Sequence, residues 1–310
     1  MRRISAIVPT IGRPDALAAL LESLAAQTRR PDEVLVADGS AGDEIAAVIA
    51  RPHWASQGLA IHRLQVTPPN AVGQRVVAIA GATGDDLLLL DDDVVLERDC
   101  VAQLASALED PSIVAAVADI TNETWPEATT AWRWYLRALG LREGEWHGRV
   151  VGPLLRFGYP PHPSTVAAME WFGTANTLVR RAAFDAAGGF SRFFLHRSTM
   201  NEDVDLSLKV ARHGRIVIWP AARLVHHHHP SGRVSVFDAA EDDLFNRYLI
   251  LRKTLGRSPF AAFGNVAAFF LIETASNVIG ALRRGRFTGL GSRTGGRAAA
   301  LFRICTGRSA

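Results

Sequence analysis

Four consecutive leucines, Leu87 to Leu90, run directly into three aspartates, Asp91, Asp92 and Asp93. A strand that is apolar at every position must be covered on both faces, which places it inside a parallel sheet flanked by helices. Three like charges at the end of such a strand repel one another unless a cation sits among them. The segment therefore predicts an α/β architecture with a charged site at the carboxyl edge of its sheet.

The surrounding chain fits that frame. Strands are expected at residues 4–8, 33–37, 60–66, 86–90 and 113–117, with helices from residue 14, over 70–82 and over 98–108. This alternation gives a Rossmann-like, mostly parallel central sheet with helices on both faces. In the first helix Leu17, Leu20, Leu21 and Leu24 recur at helical spacing. Residues 121–170 have weak periodicity and carry Trp125, Trp132, Trp134 and Trp146, which predicts a partly irregular insertion over a binding cleft. Beyond it come a strand at 176–180, helices at 181–187 and 202–213, a strand at 215–219, an extended segment at 224–229 and a helix at 238–255. The expected organisation is a nucleotide-binding half (1–118), a second half of the same domain (119–236) and a C-terminal helical region with a basic tail (237–310).

With 310 residues, 48% of them hydrophobic, the chain has material for a large core, which excludes disordered and fibrous classes. Its two cysteines, Cys100 and Cys305, make neither a disulfide framework nor a zinc cluster and suit a reducing compartment. Seven arginines and no acid fall in the last thirty residues, so a net charge of +3 leaves the first 280 residues at −4. A basic tail on an acidic body points to contact with an anionic surface. The N-terminal segment lacks the apolar region of a signal peptide, so a cytoplasmic protein is expected. The apolar stretch 260–282 is interrupted by Asn265, Glu273, Ser276 and Asn277, and reads as a helix that packs or lies at an interface.

In an open parallel sheet ligands bind beyond the carboxyl ends of the strands. Thr10 and Arg13 follow the first strand, Asp38 ends the second, and Asp91 to Asp93 end the fourth. Alternation along an extended chain turns Asp91 and Asp93 to one side and Asp92 to the other. Carboxylate pairs of this kind suit Mg2+ or Mn2+. A second acidic group, Glu202-Asp203-Val204-Asp205, follows a loop with Phe190, Phe193 and Phe194, where desolvation would raise a carboxyl pKa toward that of a general base. In the run His226 to His229, residues 226 and 228 share a face, so at most two reach one metal.

Together these stations resemble an inverting glycosyltransferase of family 2 with the GT-A fold, over about residues 4–256. AIVPTIGRPDALAALLESLAAQTRRPDEVLVADGS is similar to the family's first nucleotide-binding unit, and QRVVAIAGATGDDLLLLDDDVVL to the segment leading to its DxD motif. FGTANTLVRRAAFDAAGGF resembles the acceptor-side strand and turn, NEDVDLSLKVARHG the ED motif, and PAARLVHHHHP the segment that often supplies a histidine ligand. Where the family often has Arg-Asn-x-Gly, this chain has Arg75-Val76-Val77-Ala78.

The resemblance implies donor contacts from Thr10, Arg13, Asp38, Arg75, Asp91 and Asp92. It implies metal ligation by Asp91 and Asp93 with His226, His228 being the runner-up, and acceptor contacts from Trp171, Gly173 and Asn176. Asp203 would be the base, with Glu202 orienting the loop or binding acceptor. The implied reaction moves a sugar from a nucleotide diphosphate donor, UDP or dTDP, to a hydroxyl of a glycan or lipid-linked glycan, with Mg2+ or Mn2+ as cofactor. Residues 260–310 would contact the inner face of the cell membrane; the tail offers only Phe287 and Phe302 as stacking platforms, so no nucleic-acid partner is expected. Alternatives are a nucleotidyltransferase, although no Gly-rich phosphate loop follows the first strand, and a non-catalytic nucleotide-sugar binder, which would not need Glu202-Asp203.

Overall fold

The structure, a computed structural model, describes residues 2–125, 127–142, 144–160, 162–195, 199–229 and 234–307. The N-terminal alternation becomes β1 (Ile4–Thr10), α1 (Pro14–Ala25), β2 (Glu33–Asp38), α2 (Glu44–Ile49), α3 (His53–Ser56), β3 (Ile61–Gln65), α4 (Ala71–Gly81), β4 (Asp86–Leu90), β5 (Val94–Leu96), α5 (Cys100–Ala107) and β6 (Ile113–Ile120). There follow α6 (Thr130–Ala138), β7 (Val150–Val151), β8 (Arg156–Phe157), β9 (Ala167–Met169), β10 (Asn176–Arg180), α7 (Arg181–Ala186), α8 (Glu202–Val210), β11 (Arg215–His226), α9 (Val236–Leu249), α10 (Pro259–Arg284) and α11 (Leu290–Thr306). The chain divides into two compact units, one of residues 1–124, 162–195 and 206–232, the other of residues 125–161, 196–205 and 233–310.

The first unit is built on a nine-stranded sheet in the order β3-β2-β1-β4-β10-β6-β11-β5, with β9 alongside β11. Strands β3, β2, β1 and β4 are mutually parallel, as the strand-helix alternation predicts. The second half is mixed rather than parallel: β10 runs antiparallel to both β4 and β6, while β11 is parallel to β6 and antiparallel to β5 and β9. The reversal follows from connectivity, because β10 is reached from the 121–170 insertion and not through a right-handed crossover helix. The segments expected separately at 215–219 and 224–229 are one strand whose register with β6 shifts between Trp219 and Arg223. Pro220 lies in that bulge, where its missing N–H costs no ladder bond.

Every residue of β4 is buried, and Leu17, Leu20, Leu21 and Leu24 of α1 lie in the same core as Val8, Val36, Leu88 and Leu90. Burying one such side chain contributes roughly 1.5–3 kcal/mol. The pairing register brings Thr10 opposite Asp38 and Ile7 opposite Leu89, so the ends of β1, β2 and β4 share one edge.

The second unit holds α6, the β7–β8 hairpin, α9, which runs into a π-turn at Ile250–Thr254, and helices α10 and α11. Trp132 is buried and its indole N–H donates to Glu273 on α10 at 2.8 Å; Glu273 also faces Arg297 of α11 at 3.4 Å. Arg247 of α9 pairs with Asp243 at 2.9 Å and donates to the Leu155 carbonyl at 2.6 Å. Helix α10 is long and apolar enough by length and composition to cross a membrane, and only 22% of its apolar window is buried. Phe260, Leu271 and Leu282, exposed by 90%, 65% and 65%, fall on one stripe of it. The basic run continues through Arg283, Arg284, Arg286 and Arg293, while Arg308 lies outside the described residues.

Candidate active site

The turn after β4 sorts its three aspartates into two environments. Asp92 turns to the end of β1, where it accepts from the Thr10 hydroxyl at 2.7 Å and from the Arg13 guanidinium at 2.9 Å. Burial pushes the Asp92 carboxyl above its usual range, only partly offset by Thr10 and Arg13. Asp91 and Asp93 converge with His226, their ligand atoms all lying within 4.8 Å of one another.

Asp93 sits 3.1 Å from His226 Nε2, and accepts from the His229 backbone N–H at 2.7 Å. Burial would raise its pKa, but His226, that N–H and Arg13 outweigh burial and hold it well below the usual carboxylate range. His226 responds in the opposite sense: desolvation alone would lower it, yet Asp93 and Glu123, with the charge of Asp91, raise it to about 10. Arg75, buried on α4, pairs with Asp91. Arg75, for which a nucleotide contact is expected from the sequence, thus stands against a carboxylate of this cluster. Two carboxylates and one imidazole are a donor set that suits Mn2+ or Mg2+. The cations now paired with them, Arg75 and protonated His226, supply positive charge where a divalent ion would supply it.

The side of the edge formed by the ends of β1 and β2 is built by backbone as much as by side chains. Asp38 is fully buried, paired with Arg63 at 2.7 Å and accepting from the Ser40 N–H at 2.8 Å. Gln74 donates to the carbonyls of Thr10 and Ala37, at 2.8 and 2.7 Å, and so ties the ends of β1 and β2 together. Gly39 is required by close approach, since a Cβ there would stand 2.7 Å from Pro69 Cβ.

Other expected residues are placed differently. Trp171 and Asn176 are buried, and the Asn176 amide donates to the Ala118 carbonyl at 2.7 Å across to β6. Both side chains take part in the packing of the sheet. The Gly173 carbonyl accepts from the Thr177 hydroxyl at 2.8 Å. Glu202 and Asp203 open α8, half-buried, with the Asp203 carboxylate accepting from the Val204 N–H at 2.7 Å. The fully buried acid of that turn is Asp205, bonded to the Thr254 hydroxyl. His228 does not join Asp91 and Asp93; it faces Glu123 at 2.9 Å.

The family model for glycosyl transferase family 2 matches residues 5–157, and that for glycosyl transferase family group 2 matches residues 87–271. The chain belongs to the family 2 glycosyltransferases. Among relatives of this family 2 chain, the O-antigen biosynthesis protein RfbC of Myxococcus xanthus is 28% identical over 264 residues, 82% of this chain and 19% of RfbC. The N-acetylglucosaminyl-diphospho-decaprenol L-rhamnosyltransferase of Mycobacterium tuberculosis is 28% identical over 244 residues, 69% of this chain and 72% of that protein. This chain therefore spans about a fifth of RfbC and nearly three quarters of the rhamnosyltransferase. The mannosyltransferase PcManGT from Pyrobaculum calidifontis, solved in complex with GDP-Man and Mn2+, superposes with a TM-score of 0.55 at 17% identity, over 98% of this chain and 86% of that one. This is the GT-A fold; in this family 2 chain Asp91 and Asp93 gather with His226 just beyond β4.

Three contributors to this edge escaped the sequence reading. Arg63 meets Asp38 because β3 lies beside β2 with Arg63 opposite Val36. Glu123 reaches His226 because β6 runs beside β11. Gln74 lies on α4, the helix that feeds β4. Only helical spacing around Arg75 could have pointed to Gln74; the other two depend on strand order.

Proposed function

We propose that this protein is a metal-dependent inverting glycosyltransferase that moves a sugar from a nucleotide diphosphate donor, UDP or dTDP in preference, to a hydroxyl of a glycan or lipid-linked glycan. The convergence of Asp91, Asp93 and His226 at the carboxyl edge, beside Thr10, Arg13 and the buried Asp38, carries the reading. PcManGT, solved with GDP-Man and Mn2+, and the diphospho-decaprenol in the rhamnosyltransferase's name support it.

In this reading Asp91, Asp93 and His226 hold Mg2+ or Mn2+, which supplies charge for a diphosphate leaving group. Thr10, Arg13 and Asp38 receive the nucleoside, with Asp92 held in place by Thr10 and Arg13. Asp203 takes the proton from the acceptor hydroxyl, whose oxygen attacks the anomeric carbon as the bond to the diphosphate oxygen breaks. That single displacement inverts the configuration. Glu202 orients the loop or binds acceptor.

The setting proposed is the inner face of the cell membrane, with residues 260–310 in contact with lipid. Glu273 in the middle of α10, paired with Trp132 and Arg297, favours a helix lying along the surface over one spanning it. Each basic side chain near an anionic leaflet adds on the order of 1 kcal/mol.

Calorimetry with UDP, dTDP, GDP and CMP, each with and without Mn2+, on the native chain and Asp93→Ala tests this. One nucleotide should bind with metal and lose about tenfold or more in the variant. Binding of none overturns the reading. Asp203→Asn should bind the donor normally and transfer at least about a hundredfold more slowly; near-normal transfer removes Asp203 as base.

A further inference from the structure

We infer that Glu123, His226 and His228 form a second metal site, selective for a zinc-like transition metal, that shares His226 with the Asp91–Asp93 cluster. One carboxylate oxygen and two imidazole nitrogens lie within 4.8 Å of one another. His226 Nδ1 is 3.1 Å, and His228 Nε2 2.9 Å, from the same oxygen, Glu123 Oε1. The two rings lie with centroids 3.9 Å apart. Three ligands of this type with an open fourth position are the donor set that Zn2+ takes, whereas hard ions such as Mg2+ prefer oxygen throughout.

The surroundings hold this arrangement in place. Asn122 brackets His226 through both backbone groups: its amide donates to the His226 carbonyl at 2.8 Å and its oxygen accepts the His226 N–H at 2.9 Å. His228 takes a left-handed backbone conformation, φ 50°, that a non-glycine residue adopts at a cost, and in it the ring returns toward Glu123. Glu123 itself is largely shielded from solvent, with 17% of its side chain exposed.

Sharing His226 couples the two sites. Its Nε2 faces Asp93 and its Nδ1 faces Glu123. A neutral imidazole has one nitrogen lone pair to give, so ligation through Nδ1 leaves Nε2 protonated and donating to Asp93. Zinc at Glu123–His226–His228 therefore withdraws the imidazole from an ion at Asp91–Asp93, and each metal weakens the other's binding by the same factor. This coupling rests on the metal assignment of the proposed function; the zinc site itself does not.

Titration of the full chain with ZnCl2 alone, without nucleotide, tests the site. Glu123→Gln and His228→Ala should each weaken Zn2+ by about tenfold or more, while His227→Ala leaves it within about twofold. X-ray absorption at the zinc edge of the native chain needs no variant: two imidazole nitrogens are expected, whereas binding at Asp91–Asp93 would show one. A Zn2+ affinity lost in Asp91→Asn and kept in Glu123→Gln, a shell with one imidazole, or no zinc binding overturns the proposal. A separate MnCl2 titration followed by electron paramagnetic resonance reads the coupling, with saturating Zn2+ expected to weaken Mn2+ about fivefold or more. If Mn2+ fails to bind the zinc-free chain, the assignment of Asp91–Asp93 fails while the zinc result stands.

Discussion

The Thr10 hydroxyl donates to the Asp92 carboxylate at 2.7 Å, fastening the end of β1 to the turn that follows β4. Both residues are buried, Asp92 with 2% of its surface exposed. The bond therefore holds the middle aspartate away from Asp91 and Asp93 and leaves those two to face His226. Thr10→Val keeps the shape and removes the donor. A buried acceptor stripped of one partner costs about 1–3 kcal/mol, to be read as a shift in the urea midpoint. An unchanged midpoint would show that Arg13 alone satisfies Asp92.

Arg63 holds Asp38, the fully buried acid at the end of β2, through two nitrogens at 2.7 and 2.8 Å. Arg63→Met preserves most of the stem and leaves the carboxylate with the Ser40 N–H. Expected are a loss of about 1–3 kcal/mol and weaker nucleotide binding, measured by thermal unfolding and calorimetry. Retention of both would remove Asp38 from the nucleotide site.

Gly39 has no room for a side chain, the added Cβ meeting Pro69 Cβ at 2.7 Å. Gly39→Ala must displace the turn after β2, whose end Gln74 also braces, at about 1–3 kcal/mol. Gly140→Ala is the control for backbone strain alone, since Gly140 has a positive φ and open space around it.

Cys100 is 1% exposed at the start of α5, and burial pushes its thiol up to about 12, whereas Cys305 is exposed. Because the thiolate is the reactive form, a disulfide reagent at pH 8 should modify one thiol per native chain and two after unfolding. Two rapid equivalents from native protein would place Cys100 at the surface.

On α10, Leu271 and Leu282 are exposed by 65% each, and Leu282 directly precedes Arg283 and Arg284. Leu271→Asp with Leu282→Asp should leave the melting temperature within about 2 °C and abolish co-sedimentation with vesicles containing phosphatidylserine. This pair is preferable to deletion, because α10 and α11 supply Glu273 and Arg297 to the interior of the second unit. Undiminished sedimentation would separate this stripe from any lipid contact.

The amino-acid sequence alone settled whatever short-range periodicity can express. Leu17, Leu20, Leu21 and Leu24 define a buried helix face, and Leu87 to Leu90 a strand covered on both sides. Their parallel order then brings Thr10, Asp38 and the aspartates to one edge, so most of the make-up of that edge was legible. Tertiary structure decided which partners those residues meet. Strand order sets Arg63 on Asp38 and Glu123 beside His226, and antiparallel insertion between β4 and β6 buries Asn176. It also sorts the histidines, sending His226 to Asp93 and Glu123 and His228 to Glu123. These pairings join residues up to about a hundred positions apart, over which no local period carries a signal, and strand order and register alone bring such side chains within reach.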